Sequence, residues 1–169
     1  MEIGTIDFEV YEDGDAFVGL AEVTLPTKTQ KSISLEGAGI GGTVTVPMQG
    51  QYDAMEMAMK FRTYSQRVAR LREPRKHTID LRVAQQNEDP VTGTMKVVAV
   101  KHVMVVVPLS QSGGNVKPAA PSDTEVKVTV RYWATYVDGK KVDEIDQFNR
   151  INVINGVDYN AQVRKALGQ

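Results

Sequence analysis

Apolar and polar residues alternate one for one along most of this 169-residue chain. A period of two is the pattern of β-strands with one buried face, so the chain reads as mainly β. Met55, Met57, Met59 and Phe61 occupy every second position, while Glu56, Lys60 and Arg62 face the other way. That row predicts a strand in spite of the good helix formers within it. Ile6, Phe8 and Val10 alternate similarly, and Glu12-Asp13-Gly14-Asp15 supplies a turn whose glycine accepts positive φ. Phe17, Ala21, Val23 and Leu25 continue as a return strand to Pro26. Polar residues alternate with Ile33 and Leu35 over 27–35. Val44, Val46 and Met48 resume the pattern after the break at Gly37-Ala38-Gly39-Ile40-Gly41-Gly42.

One helix is predicted among the strands. Thr63-Tyr64-Ser65-Gln66 has capping-box spacing, Tyr64, Val68 and Leu71 share a face, and Pro74 stops the run. Strands follow over 77–85 and 94–108, joined by a turn from Asn87 to Gly93. The β-branched run from Met95 to Val107 is expected to be buried on at least one face. Residues 109–123 lack core residues and are expected to form a flexible loop. Val126, Val128, Val130, Tyr132, Ala134 and Tyr136 alternate again, and Asp138-Gly139 turns the chain into another strand. Asn155-Gly156-Val157-Asp158 then opens a helix over 158–167, with Gly168 after its end. The sum is one domain, 1–169: an antiparallel β-barrel or sandwich with a flanking α-helix, a short C-terminal helix and a C-terminal arm over 153–169.

Composition narrows the function. A formal net charge of −1 argues against nucleic-acid binding through bulk charge, and without cysteine neither a disulfide framework nor a thiolate metal site can form. No apolar run approaches the roughly 20 residues of a membrane helix. The start, Met1-Glu2-Ile3-Gly4-Thr5, lacks the basic and apolar regions of a signal peptide, so a cytoplasmic product, or one released by lysis, is expected.

Candidate chemistry is thin. The stretch 37–42 lacks the lysine and Ser/Thr of a phosphate loop and is better read as a strained loop packing closely against another backbone. His77 and His102 lie far apart with no third ligand at metal spacing. Asp138, Asp143, Glu144 and Asp146 cluster in sequence, but alternation and neighbouring lysines favour a solvated face over acid–base work. No serine sits in a nucleophile elbow. No enzyme, metal or cofactor is expected.

A basic run is the stronger signal. Lys60, Arg62, Arg67, Arg70, Arg72, Arg75 and Lys76 face only Glu73 as an acidic neighbour, leaving 13 basic against 20 acidic residues elsewhere. Such asymmetry suggests complementary protein surfaces, or simply a solvated helix face. A nucleic-acid module using the basic segment 60–76 is the alternative, although aromatic residues are not interleaved with its charges. The polar strands at 27–48 and 124–152 raise a further point, because long open edges aggregate unless covered or used. Pairing across subunits would use them, and head-to-tail contacts close into rings that can stack.

The C-terminal series Val137-Asp138-Gly139-Lys140-Lys141-Val142-Asp143-Glu144-Ile145-Asp146, then Asn149, Ile151-Asn152, Asn155-Gly156-Val157-Asp158, Arg164-Lys165 and Leu167-Gly168, resembles the major tail tube protein of contractile-tailed bacteriophages and of R-type phage-tail-like bacteriocins. Val23-Thr24-Leu25-Pro26 leading to Gly37–Gly42 matches as well. The fold is also similar to the tube protein of type VI secretion. The resemblance implies hexameric rings stacked into a rigid tube, with neighbouring sheets merged into one inner barrel. It implies a surrounding sheath whose contraction drives the tube through a target envelope, as a conduit for DNA in a phage or ions in a bacteriocin. Implied partners are further copies of the chain, the sheath protein, baseplate and tail terminator proteins, a tape measure protein in the lumen, DNA in transit, and a target membrane met only by the assembled tube. The implied location is a virion tail or bacteriocin particle, assembled in the host cytoplasm and released by lysis.

Within that frame, Gly37, Gly39, Ile40, Gly41, Gly42, Asn155, Gly156 and Asp158 are expected at inter-ring or inter-subunit contacts. Arg67, Arg70 and Arg72 are expected to face the sheath, and Asp143, Glu144 and Asp146 to line the lumen. Electron microscopy of the purified protein discriminates between the readings. Rings or tubes are the expected result, whereas a monomer forming a salt-sensitive DNA complex would favour the binding module.

Overall fold

The computed structural model describes residues 1–16 and 20–169, with the backbone alone at Ala21. Phe17 and the side chain of Ala21 therefore lie outside the described residues. In chain order the strands are β1 (Glu2–Glu12), β2 (Asp15–Ala16), β3 (Leu20–Thr24), β4 (Gln30–Leu35), β5 (Val44–Tyr52) and β6 (Met55–Phe61). After helix α1 (Gln66–Arg70) come β7 (His77–Glu88), β8 (Met95–Ser112), β9 (Thr124–Val137), β10 (Lys140–Asp146), β11 (Ile151–Ile154) and β12 (Val157–Asp158). Helix α2 (Ala161–Ala166) ends the chain.

Ten strands form one antiparallel sheet in the order β12-β11-β10-β9-β8-β7-β1-β2, with β6 also on β9 and β3 on β6. The remaining pair, β4 and β5, makes a separate hairpin. Three tight reversals have the same cause. Asp13-Gly14, Asp138-Gly139 and Asn155-Gly156 all take positive φ at both positions, the geometry that matches the right-handed twist of flanking strands.

The row at 55–61 behaves as its alternation requires: Met55, Met57, Met59 and Phe61 are all buried. They meet Val126, Val128 and Val130 of β9, together with Ile79, Leu81, Met104, Val106, Val10, Trp133 and Ile145. Val68 of α1 and the adjoining Leu71 join this core, and burying side chains of this size is worth roughly 1.5–3 kcal/mol each.

Several boundaries differ from expectation. The expected capping box does not form. Ser65 is the N-cap, its hydroxyl accepting from the Val68 amide at 3.4 Å, so Tyr64 precedes the helix and is exposed. Strand β8 runs on to Ser112, pairing Ser110 with Lys127 and Ser112 with Glu125. Pro108, which has no N–H, is accommodated because the register shifts between Pro108 and Ser110. The irregular segment is thus 113–123. Helix α2 starts at Ala161 rather than at 158, because Val157 and Asp158 pair with Ile154 and Val153.

The β4–β5 hairpin stands outside the core. Its strands were expected to have little core-forming content, and every β4 residue is exposed, with Ile33, Leu35, Val44 and Met48 42–49% accessible. The hairpin pairs with itself, and of its hydrophobic residues only Tyr52 at its base packs against the core among the described residues. Its base rests on the C-terminal segment. Gly50 has φ +72, and an added Cβ would lie 2.2 Å from Oδ1 of the buried Asn160. Gly50→Ala is expected to cost about 1–3 kcal/mol, through positive φ and that collision. A lowered denaturation midpoint at unchanged m-value would show it; an unchanged midpoint would refute the contact.

Candidate assembly interface

Two elements leave the body unfinished. Strand β1 pairs along β7 from Glu2 to Glu12, but on its other side, among the described residues, β2 pairs with only Tyr11 and Glu12. Met1, Ile3 and Ile6 are exposed at that open end, and across β7 Met95 and Val97 of β8 are exposed as well. The hairpin β4–β5 is the second. Gly37, Gly39, Ile40, Gly41 and Gly42 form its exposed tip, stabilised by the Ile40 amide donating to the Gly37 carbonyl at 3.1 Å. Gly39 has φ +90, but no atom lies within 4 Å of a Cβ built on any glycine from 37 to 42. The expected close approach to another backbone is therefore not made within this chain.

The hairpin is moored at its base. Lys28, just before β4, pairs with Asp143 and lies 4.1 Å from the Trp133 ring centroid. Gln49 Nε2 donates to the Tyr159 carbonyl at 2.6 Å, and the Asp53 amide donates to the Thr29 carbonyl at 2.8 Å. Behind Lys28, Trp133 Nε1 donates to His102 Nδ1 at 3.2 Å. Burial, and then the charge of Lys28, lowers the His102 pKa, so this ring accepts as a neutral structural group.

The three candidate lumen carboxylates do not come together. Asp143 pairs with Lys28, whereas its strand neighbour Glu144 points to the opposite face and is buried against Lys141. Asp146 caps the following turn: its carboxylate accepts from the Phe148 and Asn149 amides at 3.1 Å and from Asn149 Nδ2 at 2.7 Å. Each charge is answered inside the chain.

The basic segment is likewise largely internal. Arg67 donates to the Ala16 carbonyl, and Arg70 pairs with Asp15 at 3.2 Å. Arg75 reaches Glu73 at 2.8 Å, Asp13 at 2.9 Å and Glu12 at 3.4 Å. His77 is fully buried beside them. Its Nδ1 bonds Glu12 and its Nε2 lies 3.0 Å from the Glu73 carbonyl, so both ring nitrogens have a partner. Glu12, Asp13 and His77 stand close enough to hold a cation, and the Arg75 guanidinium already supplies one. Sequence spacing could not reveal this cluster, because its carboxylates and its imidazole lie more than 60 residues apart. Of the three arginines expected to face outward, only Arg72 has no side-chain partner among the described residues.

The C-terminal turn stands apart from the hairpin tip. Asn155 and Gly156 are exposed. Asp158 pairs with Arg164 and accepts from the Asn160 amide at 3.0 Å, while Arg164 also donates to the Arg150 carbonyl at 2.7 Å. The arm is thus folded back onto its own domain, with Val157, Tyr159 and Leu167 left exposed.

Open sheet edges, an uncovered apolar hairpin and internally paired charges suit a protein that assembles through its strands. The family described as phage tail tube protein FII matches residues 5–168, and the chain belongs to that family. It is 29% identical over 162 residues to the tail tube protein of Escherichia phage P2, covering 94% of this chain and 93% of that one. Two solved chains share the fold. One, from the PVC sheath/tube terminator of an extracellular contractile injection system in its extended state, superposes with a TM-score of 0.58 at 11% identity, over 79% of this chain and 96% of that one. The other, from the PVC sheath–tube complex in its extended state, gives 0.54 at 11% identity, over 76% and 87%. The chain is a tail tube protein of a phage tail or phage-tail-like particle, as the resemblance implied.

The Asp158–Arg164 pair generates a pH prediction. The hydrogen bond from Arg164 holds the Asp158 carboxyl below its usual range. Its stabilisation is therefore complete above the unfolded value of about 4 and is lost as pH falls through the lower folded value. Amide-exchange protection factors of residues 158–167, corrected for the intrinsic pH dependence of exchange, are expected to fall locally on acidification from about pH 5 to about pH 2, and Asp158→Asn should remove that dependence. Equal acid sensitivity in both proteins would contradict it.

Proposed function

We propose that the chain closes into hexameric rings that stack as the inner tube of a contractile tail, which a contracting sheath drives through a target envelope. The observation that carries this reading is the β4–β5 hairpin, whose apolar row has no cover in its own chain. Buried against a second copy, that row would regain a hydrophobic contact comparable to a core face. The open β1 edge offers main-chain donors and acceptors to a neighbouring sheet in the same ring.

The glycine tip, with Ile40 at its centre, serves the contact between rings, and Asn155, Gly156 and Asp158 mark a second contact at the opposite turn. Strand β10 is the candidate lumen wall. Asp143 and Asp146 are already paired or capped and Glu144 is turned to the other face, so such a wall carries little free negative charge. The sheath is the outer partner, consistent with the sheath-bearing complexes that share this fold. Terminator, baseplate and tape measure proteins complete the assembly, which forms in the host cytoplasm and leaves by lysis. The cargo is DNA in a phage or ions in a headless particle.

Gly41→Val and Ile33→Glu test the hairpin. Gly41 has open space around its Cβ position and Ile33 is half exposed, so both variants should fold with unchanged melting. Both are expected to lose rings and tubes by electron microscopy. Normal tubes from the pair would sink the assignment.

A further inference from the structure

Two of the charges that remain unpaired on the basic segment share one place. Arg72 and Lys76 line a depression of about 670 Å³ together with Arg131 of β9, and its floor is aliphatic: Val107, Pro108, Leu109 and Val126. Lys76 and Arg131 also border a second depression of about 400 Å³, lined by Val105, Tyr132 and Phe148. A cationic ridge therefore stands between two apolar hollows. Neither Arg72 nor Lys76 has an ion-pair partner among the described residues. Arg131 lies 5.5 Å from the Phe148 ring centroid, so the aromatic face is already occupied. Asp146, a carboxylate at the second hollow, is held by the Phe148 and Asn149 donors.

Gln111 adds the decisive polar group. It lines the first hollow, and both its amide nitrogen and its amide oxygen are buried without a hydrogen-bond partner. A buried polar group left unpaired costs roughly 1–3 kcal/mol, so a turn of this side chain towards the adjoining hollow, where an occupant completes both atoms, is favoured. A carboxamide offers one donor and one acceptor. A peptide unit answers both; a phosphate offers only acceptors and would leave Oε1 unpaired.

We propose that this groove captures an extended acidic segment of a partner protein, with carboxylates on the Arg72–Lys76–Arg131 ridge, flanking apolar side chains in the two hollows and a backbone amide on Gln111. Recognition of acidic motifs by clustered cations, with neighbouring pockets reading adjacent side chains, follows the general chemistry of peptide recognition. The groove is complete within one chain, so the inference goes beyond tube assembly and can fail or stand separately from it.

Fluorescence anisotropy of the full chain with a short labelled peptide, leucines flanking a glutamate pair, tests the groove. Capture is expected, and substituting both glutamates by glutamine should weaken it by about tenfold or more. Arg72→Glu with Lys76→Glu should weaken it similarly. Lys96→Glu with Lys140→Glu, an equal charge change on exposed residues elsewhere, should alter it less than about threefold. Gln111→Leu provides a second measurement that does not depend on charge reversal. It should weaken capture by about fivefold while leaving thermal stability equal or higher, because an unpartnered amide is replaced by an apolar group of similar size. Equal binding of the glutamine peptide, unaffected binding by the Arg72/Lys76 variant, or preferential capture of a single-stranded oligonucleotide would overturn the proposal. Loss of tubes by electron microscopy with intact peptide capture would instead count against the assembly reading alone.

Discussion

The structure depends on the ladder between β6 and β9. Met55, Met57 and Met59 stand directly opposite Val130, Val128 and Val126, and all six side chains are buried. Cross-strand pairs of this kind are the unit of sheet stability, and here they also divide the sheet into an inner and an outer face. Strand β9 extends the effect. One of its edges pairs with β8 along nearly its whole length, and the other is shared by β6 and β10. A one-residue slip in this strand would turn every core valine to solvent and disconnect three neighbours at once.

Long-range ion pairs then attach the less regular segments to that frame. Arg75, Glu12, Asp13 and His77 tie the loop after α1 to the first hairpin, and Lys28 with Asp143 ties down the base of the projecting one. Arg164 and Asp158 do the same for the C-terminal arm. Partly buried pairs of this type contribute little net free energy, because desolvation offsets much of the attraction. Their effect here is positional: they fix where loops lie and consume charges that would otherwise stand free. The basic run thereby loses Arg67, Arg70 and Arg75 to internal contacts, and its outward chemistry contracts to a narrower groove.

The fold class, the row at 55–61, the turns at Asp13-Gly14 and Asp138-Gly139 and the tail tube family were all legible in the chain, because each rests on local spacing or on an ordered series of residues; Asn155-Gly156, expected to open a helix, instead turns β11 into β12. Boundaries were legible only to within a few residues. Ser65 and Thr63 are both competent caps, and nothing local decides between them. The exact end of β8 depended on a partner strand that supplies hydrogen bonds to residues with no strand propensity of their own.

What the sequence by itself determined is where the chain alternates and where it must turn, since those follow from side-chain period and backbone φ. It could not determine which alternating rows are buried. The row at Ile33, Leu35, Val44 and Met48 has the same period as the row at Met55, Met57 and Met59, yet one is exposed and the other is core. Nor could it separate structural charges from free ones, because Glu12 meets His77, and Lys28 meets Asp143, only after distant strands are brought side by side. Burial and charge pairing are properties of neighbours in space, and those neighbours come from the tertiary fold.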